Sequence, residues 1–195
     1  MGNSLMENEA LTRQMFRQLN RFMLLMWRLG MGPLLQHPFY GYIMVLITTG
    51  HKSGQQRKAP INYDRQGDTV YILPGFGKKT HWYRNLKADP NCELWLPDGW
   101  WRGIAEEVTD PDEHLSALRR VLTRAGVVTN LVEGKSVAEM SDDDLRAMLD
   151  RYPVSLRIRL LKQLSGPGGP GDLAWVWAVV GLIALLMLLR PRRKR

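Results

Sequence analysis

The chain has 195 residues, enough for one domain with a real core, and a formal net charge of +8. That charge is concentrated in two places: Leu46–Leu86 holds seven Lys or Arg against two acids, and the tail RPRRKR holds five more bases, so the remainder is slightly acidic. A nucleic-acid binder spreads its cations over a face or along a helix, so this division argues against nucleic acid and for a local anionic ligand, with further charge beside a membrane.

Residues Leu5–Leu29 read as an amphipathic helix, with Leu11, Met15, Leu19, Phe22 and Met26 recurring at steps of three and four between arginines. Such a helix packs on its own domain or lies at a membrane interface. The start MGNSLM has Met6 where a myristoylation motif needs Ser or Thr, and no cleavable signal is expected. Gly30, Gly32 and Pro33 end the helix. The run Tyr42–Thr48 predicts a buried strand, broken at Gly50-His51-Lys52-Ser53-Gly54. A second strand follows over Lys58–Tyr63, turned at Gln66-Gly67-Asp68 into a third over Thr69–Leu73. Pro60 restricts the second strand to an edge or bulged position. A loop over Pro74–Thr80 leads to a short helix at His81–Ala88. The single cysteine, Cys92, excludes an intramolecular disulfide and gives no sign of a metal cluster, so it reads as a small buried residue and no metal site is expected.

Strands Glu93–Leu96 and Trp100–Val108 flank Pro97-Asp98-Gly99 as a hairpin. Several short strands without βαβ alternation predict a mainly β, α+β fold built on a small antiparallel barrel with flanking helices. Two helices follow. Asp110 with Pro111 and Glu113 predicts a capping box for the first, and Ser141 with Asp144 predicts one for the second. Arg157, Arg159 and Lys162 alternate with apolar residues in a segment that the pattern assigns to neither helix nor strand.

The domain plan is therefore a helix over 1–33, the barrel domain over 34–164, a Gly/Pro linker over 165–172, an apolar run over 173–189 and a basic tail over 190–195. The run Leu173–Leu189 holds no charge, and at about 1.5 Å per residue it lies at the short limit for crossing a bilayer. With Trp175 and Trp177 at one end and Arg190 at the other, it predicts a C-terminal transmembrane helix and a lipid bilayer as partner. The positive-inside rule assigns the tail to the cytoplasm and the barrel outside. Nothing exports the barrel, however, so tail anchoring at the membrane with a cytoplasmic barrel is the expectation. A short helix that dips in without crossing reconciles the two signals.

In the basic stretch, Lys52 and Arg57 flank one glycine turn. Gly75 and Gly77 let a second loop bring its amides close to an anion, with Lys78 and Lys79 beside them. Tyr63, His81, Trp82 and Tyr83 offer rings. The arrangement suits an extended ligand with a flat ring system and a phosphate. No Ser-His-Asp or paired-carboxylate device accompanies it.

The segments TTGHKSGQQRKAPINY and GFGKKTHWYRNLKADP resemble the deazaflavin-dependent nitroreductase family over about Tyr42–Val108. The resemblance implies a split β-barrel related to flavin reductases, coenzyme F420 as cofactor, and hydride transfer to a small-molecule acceptor such as a quinone or nitroaromatic compound. By matching position, Lys52 and Arg57 would hold the phosphate or glutamyl tail, and Gly75, Gly77, Lys78 and Lys79 would line the phosphate loop. Pro60 and Tyr63 would border the ring, and Trp82, Tyr83 and Asn85 would complete its wall. Tyr63 is also the candidate proton donor. His51 stands where the family commonly has Arg. Two alternatives are an FMN-dependent oxidoreductase on the same barrel and a membrane-anchored, non-catalytic cofactor-binding scaffold. A homodimer is compatible with such barrels.

Overall fold

A computed structural model describes residues 18–39, 41–126 and 136–189. Its strands are β1 (Ile43–Thr49), β2 (Gln56–Asn62), β3 (Asp64–Gln66), β4 (Thr69–Ile72), β5 (Asn91–Leu96), β6 (Gly99–Glu107) and β7 (Leu156–Leu164). Its helices are α1 (18–28), α2 (His81–Ala88), α3 (Pro111–Arg124), α4 (Asp142–Ala147) and α5 (Trp175–Leu189). All seven strands lie in one sheet, in the order β2-β1-β5-β6-β7-β4-β3, and every pairing is antiparallel.

The two edge strands, β2 and β3, are separated in sequence by Tyr63 alone. The sheet must therefore curl until its edges meet at that residue. The Tyr63 N–H donates to the Tyr42 carbonyl at 3.3 Å, which fixes the corner. Away from the corner, β2 pairs with β1 only, and α2 closes that side by packing Tyr83 and Leu86 into the main core. The result is an antiparallel barrel, closed at one corner and split along β2.

Register sets the two faces of the sheet, because directly opposed residues share a face. Met44, Leu46, Leu94, Ile158 and Leu160 point into the barrel. Val45, Ile47 and Trp95 point outward and are covered by Trp27 of α1. The covered face of α1 is not the stripe expected from the spacing, of which Met26 alone is half-buried among the described residues. Trp27 is buried and Leu24 packs beside it, whereas Leu19 and Phe22 are each 52% exposed; Leu11 and Met15 lie outside the described residues.

One segment that the pattern left open is assigned, and one of the two expected capping boxes is corrected. The unassigned segment around Arg157–Lys162 is β7, a strand inside the sheet between β6 and β4. Of its outward basic residues, Arg157 pairs with Glu106 and Glu113 at 2.7 Å each, and Arg159 and Lys162 are exposed. The capping box of α3 is half made. Asp110 accepts from the Glu113 N–H at 2.7 Å, but the Glu113 carboxylate is drawn away to the Tyr71 hydroxyl and Arg157. In α4 the reciprocal box of Ser141 and Asp144 is complete.

The expected transmembrane helix is also corrected. Helix α5 has 15 residues, about 22 Å at 1.5 Å per residue, against a hydrocarbon core of about 30 Å. Among the described residues no helix is long and apolar enough to cross a membrane. The run is shortened at its start because the end of α1 leaves carbonyls without helical partners. Gly171 N–H donates to the Trp27 carbonyl at 2.9 Å, Leu173 N–H to that of Arg28 at 2.8 Å, and the Trp177 indole to that of Leu29 at 2.9 Å. Asp172 adds a bidentate pair with Arg28. The Gly/Pro-rich stretch before α5 is thus held against α1.

Candidate functional site

The split side of the barrel carries the two glycine-bearing loops, and α2 holds both. The first loop is the β1–β2 turn. Gly50 N–H donates to the Gln55 carbonyl at 2.8 Å and receives bonds at its own carbonyl from Ser53 and Gly54. Gly54 has φ +65°, a left-handed conformation that glycine adopts without a Cβ penalty. Lys52 is exposed at the tip. Arg57, the second residue of β2, lies opposite Thr48 and reaches back to the Ser53 hydroxyl at 3.4 Å.

The second loop leaves β4 and tightens into a 3-10 turn over Gly77–Lys79, where Gly77 has φ +53° and donates to the Pro74 carbonyl at 2.8 Å. Lys78 and Lys79 are exposed. A Cβ on Gly75 would meet nothing within 4 Å, so the backbone there is open to close approach by a ligand.

Consecutive residues of α2 fasten the two loops. Arg84 Nε donates to the Lys78 carbonyl at 3.3 Å. Asn85, 4% exposed, accepts at Oδ1 from the His51 backbone N–H at 3.1 Å, and its Nδ2 donates to the Thr48 hydroxyl at 3.0 Å. Because that backbone group can only donate, the atom facing the turn is Oδ1. The same oxygen lies 2.9 Å from His51 Nδ1, so that ring nitrogen is the donor in this contact. Among the described residues, Lys52, Arg57, Lys78 and Lys79 have no carboxylate within ion-pair distance. Lys52, Lys78 and Lys79 on the two loops and Arg57 at the start of β2 thus stand near one helix without an ion-pair partner among the described residues, the charge pattern that an anion-binding cradle needs.

The remaining residues expected at the site are distributed as follows. Trp82 is half-buried against the main core. Tyr83 is buried, and its hydroxyl donates to Glu107, fastening α2 to the end of β6. Burial, aided by that bond, pushes the Tyr83 hydroxyl up to about 12, while the bond holds the Glu107 carboxyl below its usual range. Asn85 positions the turn rather than lining an open wall. Pro60 lies opposite Val45, on the outward face under α1, whereas Arg57 lies opposite Thr48 on the inward face. Tyr63 is 5% exposed in the main core, and burial pushes its hydroxyl up to about 12. Its charged neighbours are Arg124, Arg65 and Asp98, and six residues of extended chain separate it from Arg57, about 20 Å. The cation loops and Tyr63 are thus at opposite ends of β2.

The bracketing roles of Thr48, His51 and Arg84 carry no spacing signal in the sequence. The one hint is Thr48, a polar residue at the end of an apolar strand, which needs a hydrogen-bond partner once buried.

Comparison with known proteins gives this geometry a context. An F420H(2)-dependent quinone reductase of Mycobacterium tuberculosis is 39% identical over 54 residues, covering 26% of this chain and 36% of the relative. The match thus spans little more than a third of that relative's own length. Among solved structures, an F420-H2 dependent reductase aligns at 16% identity with a TM-score of 0.36, over 60% of this chain and 93% of that one. An FAD-binding protein from Mesorhizobium loti aligns at 19% identity with a TM-score of 0.39, over 62% and 81%. Likenesses this distant do not bear on the assignment. The sequence profile of one family, F420H(2)-dependent quinone reductase, matches residues 27–132, a span that holds both loops, α2 and every residue of the cradle. By that match, over more than half of its length, the chain belongs to the F420H(2)-dependent quinone reductase family.

Proposed function

We propose that this protein is an oxidoreductase that binds the deazaflavin coenzyme F420 in the α2-bracketed cradle and reduces a quinone. One observation carries the reading: four unneutralised cations on two glycine-bearing loops, locked to adjacent residues of one helix, inside the span that matches the family. The residues fit the group. An extended phosphodiester with a carboxylate tail needs several cations in a row and an approachable backbone, and Gly75 leaves that approach open.

When bound, the reduced deazaflavin supplies the hydride, so the protein contributes binding, orientation and exclusion of water. Arg57 and Lys52 hold negative charge at the β1–β2 turn, and Lys78 and Lys79 hold it from the other loop. Asn85 fixes the distance between them. Holding donor and acceptor in register accounts for the acceleration, and no side chain has to act as nucleophile. Quinone reduction to the quinol takes up one hydride and one proton. With the Tyr63 and Tyr83 side chains buried and the Tyr83 hydroxyl already donated to Glu107, the proton comes from solvent at the open side of the barrel.

A lipophilic acceptor and a membrane-associated chain suit each other. The side chains of α5 and of the Leu19–Phe22–Leu25 stripe are exposed and apolar, which supports α5 entering a bilayer surface without crossing it. A nitroaromatic compound would serve as an alternative acceptor at the same site. The test is anaerobic: purified protein with reduced coenzyme F420 and a menaquinone analogue should return the deazaflavin to its oxidised absorbance. No return with any quinone would refute the reading.

A further inference from the structure

A groove lies on the outward face of the sheet, the opposite face from Arg57. It encloses about 400 Å³ between α1, the β2/β5 surface and the stretch before α5, and is lined by Arg21, Leu24, Arg28, Lys58, Trp95 and Asp172 among others. Its floor is the fully buried Trp95 ring, whose indole N–H has no acceptor. Lys58 stands over that ring at 4.1 Å, and among the described residues the hydrogen bond of its ammonium is a long 3.5 Å contact to the Gly168 carbonyl. An ammonium has three donors to satisfy.

The charges do not balance. Asp172 is engaged bidentately by Arg28. Arg21 has no ion-pair partner among the described residues. Partial burial and the neighbouring Arg28 push the Lys58 ammonium below its usual value, against smaller opposing effects of Asp172 and Glu93. An anion in the groove would meet Lys58 and Arg21 together.

Beside the groove, α5 leaves the end of α1. Its side chains are exposed on every side, from Val179 at 44% to Leu188 at 84%. A protein partner with one complementary face would cover a stripe, whereas a helix apolar all round needs apolar surroundings on every side, as a lipid phase gives. On α1, next to the groove, Phe22 and Leu25 are exposed at 52% and 44%.

We propose that the Arg21–Lys58 groove binds the phosphate of an anionic phospholipid whose acyl chains lie along α5. This rests on the membrane-surface reading above. It adds a headgroup site on the face opposite the cofactor cradle, which presents that cradle to water.

The experiment is flotation of the full chain with vesicles of phosphatidylcholine alone or mixed with phosphatidylglycerol. Three variants accompany the wild type: Lys58→Gln, Arg21→Gln and Lys58→Arg. Thermal unfolding serves as the folding control. Wild type should float with both vesicle types and bind the anionic ones more tightly. Each Gln variant should lose about fivefold of that preference, with unchanged binding to neutral vesicles, and Lys58→Arg should restore it. The basic tail is intact in every variant, so a preference that survives both Gln substitutions belongs to the tail and overturns the groove site. Equal binding of wild type to both vesicle types overturns the headgroup site but leaves membrane association standing. Failure to float with either removes both. Soluble glycerol phosphate that raises the melting temperature, while Lys58→Gln leaves vesicle binding unchanged, would assign the groove to a free phosphate ester and overturn the lipid.

Discussion

Replacing Asn85 with Leu separates the roles of helix α2 and the turn it holds. The substitution keeps the number and branching of side-chain heavy atoms but removes the acceptor for two His51 groups and the donor to Thr48. Thr48 is 2% exposed, so its hydroxyl is left buried without a partner, at a cost of about 1–3 kcal/mol. His51 is exposed and rehydrates, adding little to folding stability. A loss of about 2 kcal/mol lowers the melting temperature by about 4–8 °C for a chain of this size. The effect on the cofactor is distinct. Without its pin, the Gly50–Gly54 turn must be ordered on binding, and fixing even one residue's backbone costs about 1–2 kcal/mol. The dissociation constant for oxidised coenzyme F420, read from quenching of its fluorescence, should therefore rise about 5- to 30-fold. Asn85→Asp keeps an acceptor for both His51 groups and should retain more of the binding than Asn85→Leu. A fall in melting temperature with unchanged cofactor affinity would show that Asn85 serves the helix alone and would refute the bracket.

Other outcomes follow from the same structure. Arg57→Ala and Lys79→Ala should each weaken cofactor binding about tenfold at low salt and by less at high salt, since an exposed charge is screened; a salt-independent loss would contradict a charge role. Asp64 is 3% exposed and pairs with Arg120 at 2.9 Å and Arg124 at 2.8 Å, so Asp64→Ala should destabilise by about 3 kcal/mol in urea unfolding. A Cβ on Gly32 would lie 2.3 Å from the Trp27 ring, so Gly32→Ala should cost about 1–3 kcal/mol and perturb tryptophan fluorescence. Burial lowers the pKa of His114, whose ring bridges Ser155 and the Tyr152 carbonyl. The unfolded chain then binds this proton first, so the contribution is present above about pH 6.5 and declines as pH falls below it. The urea midpoint should drop between pH 7 and pH 5, and less so in His114→Gln.

β1 was legible as a continuous apolar run because both its faces are covered, and β4, β5 and β6 from the turns that bound them; all four are at or within a few residues of the expected places. β7 was not, because three of its outward positions are basic and its partners, Glu106 and Glu113, are about fifty residues away in sequence. α1 misled in the opposite sense. It carries apolar residues on both the covered and the exposed side, so periodicity alone could not choose between them. At the site, Lys52, Arg57, Lys78 and Lys79 were readable as exposed cations at glycine turns. The Asn85 bracket was not, since a buried side chain that binds a turn 34 residues earlier looks in sequence like any helical asparagine. The length of the C-terminal helix was overestimated for a similar reason: Leu173 is apolar, yet its N–H is spent on the last turn of α1.

The central claim, a deazaflavin cradle that serves quinone reduction, is tested most directly by a single-turnover measurement. The full chain is loaded anaerobically with reduced coenzyme F420 and mixed rapidly with a quinone, and the absorbance of the oxidised deazaflavin is followed. The account predicts its return in one phase, slowed in Arg57→Ala and Asn85→Leu at subsaturating cofactor. Tight binding of the reduced cofactor with no oxidation by any quinone would contradict it and leave a carrier or scaffold in its place.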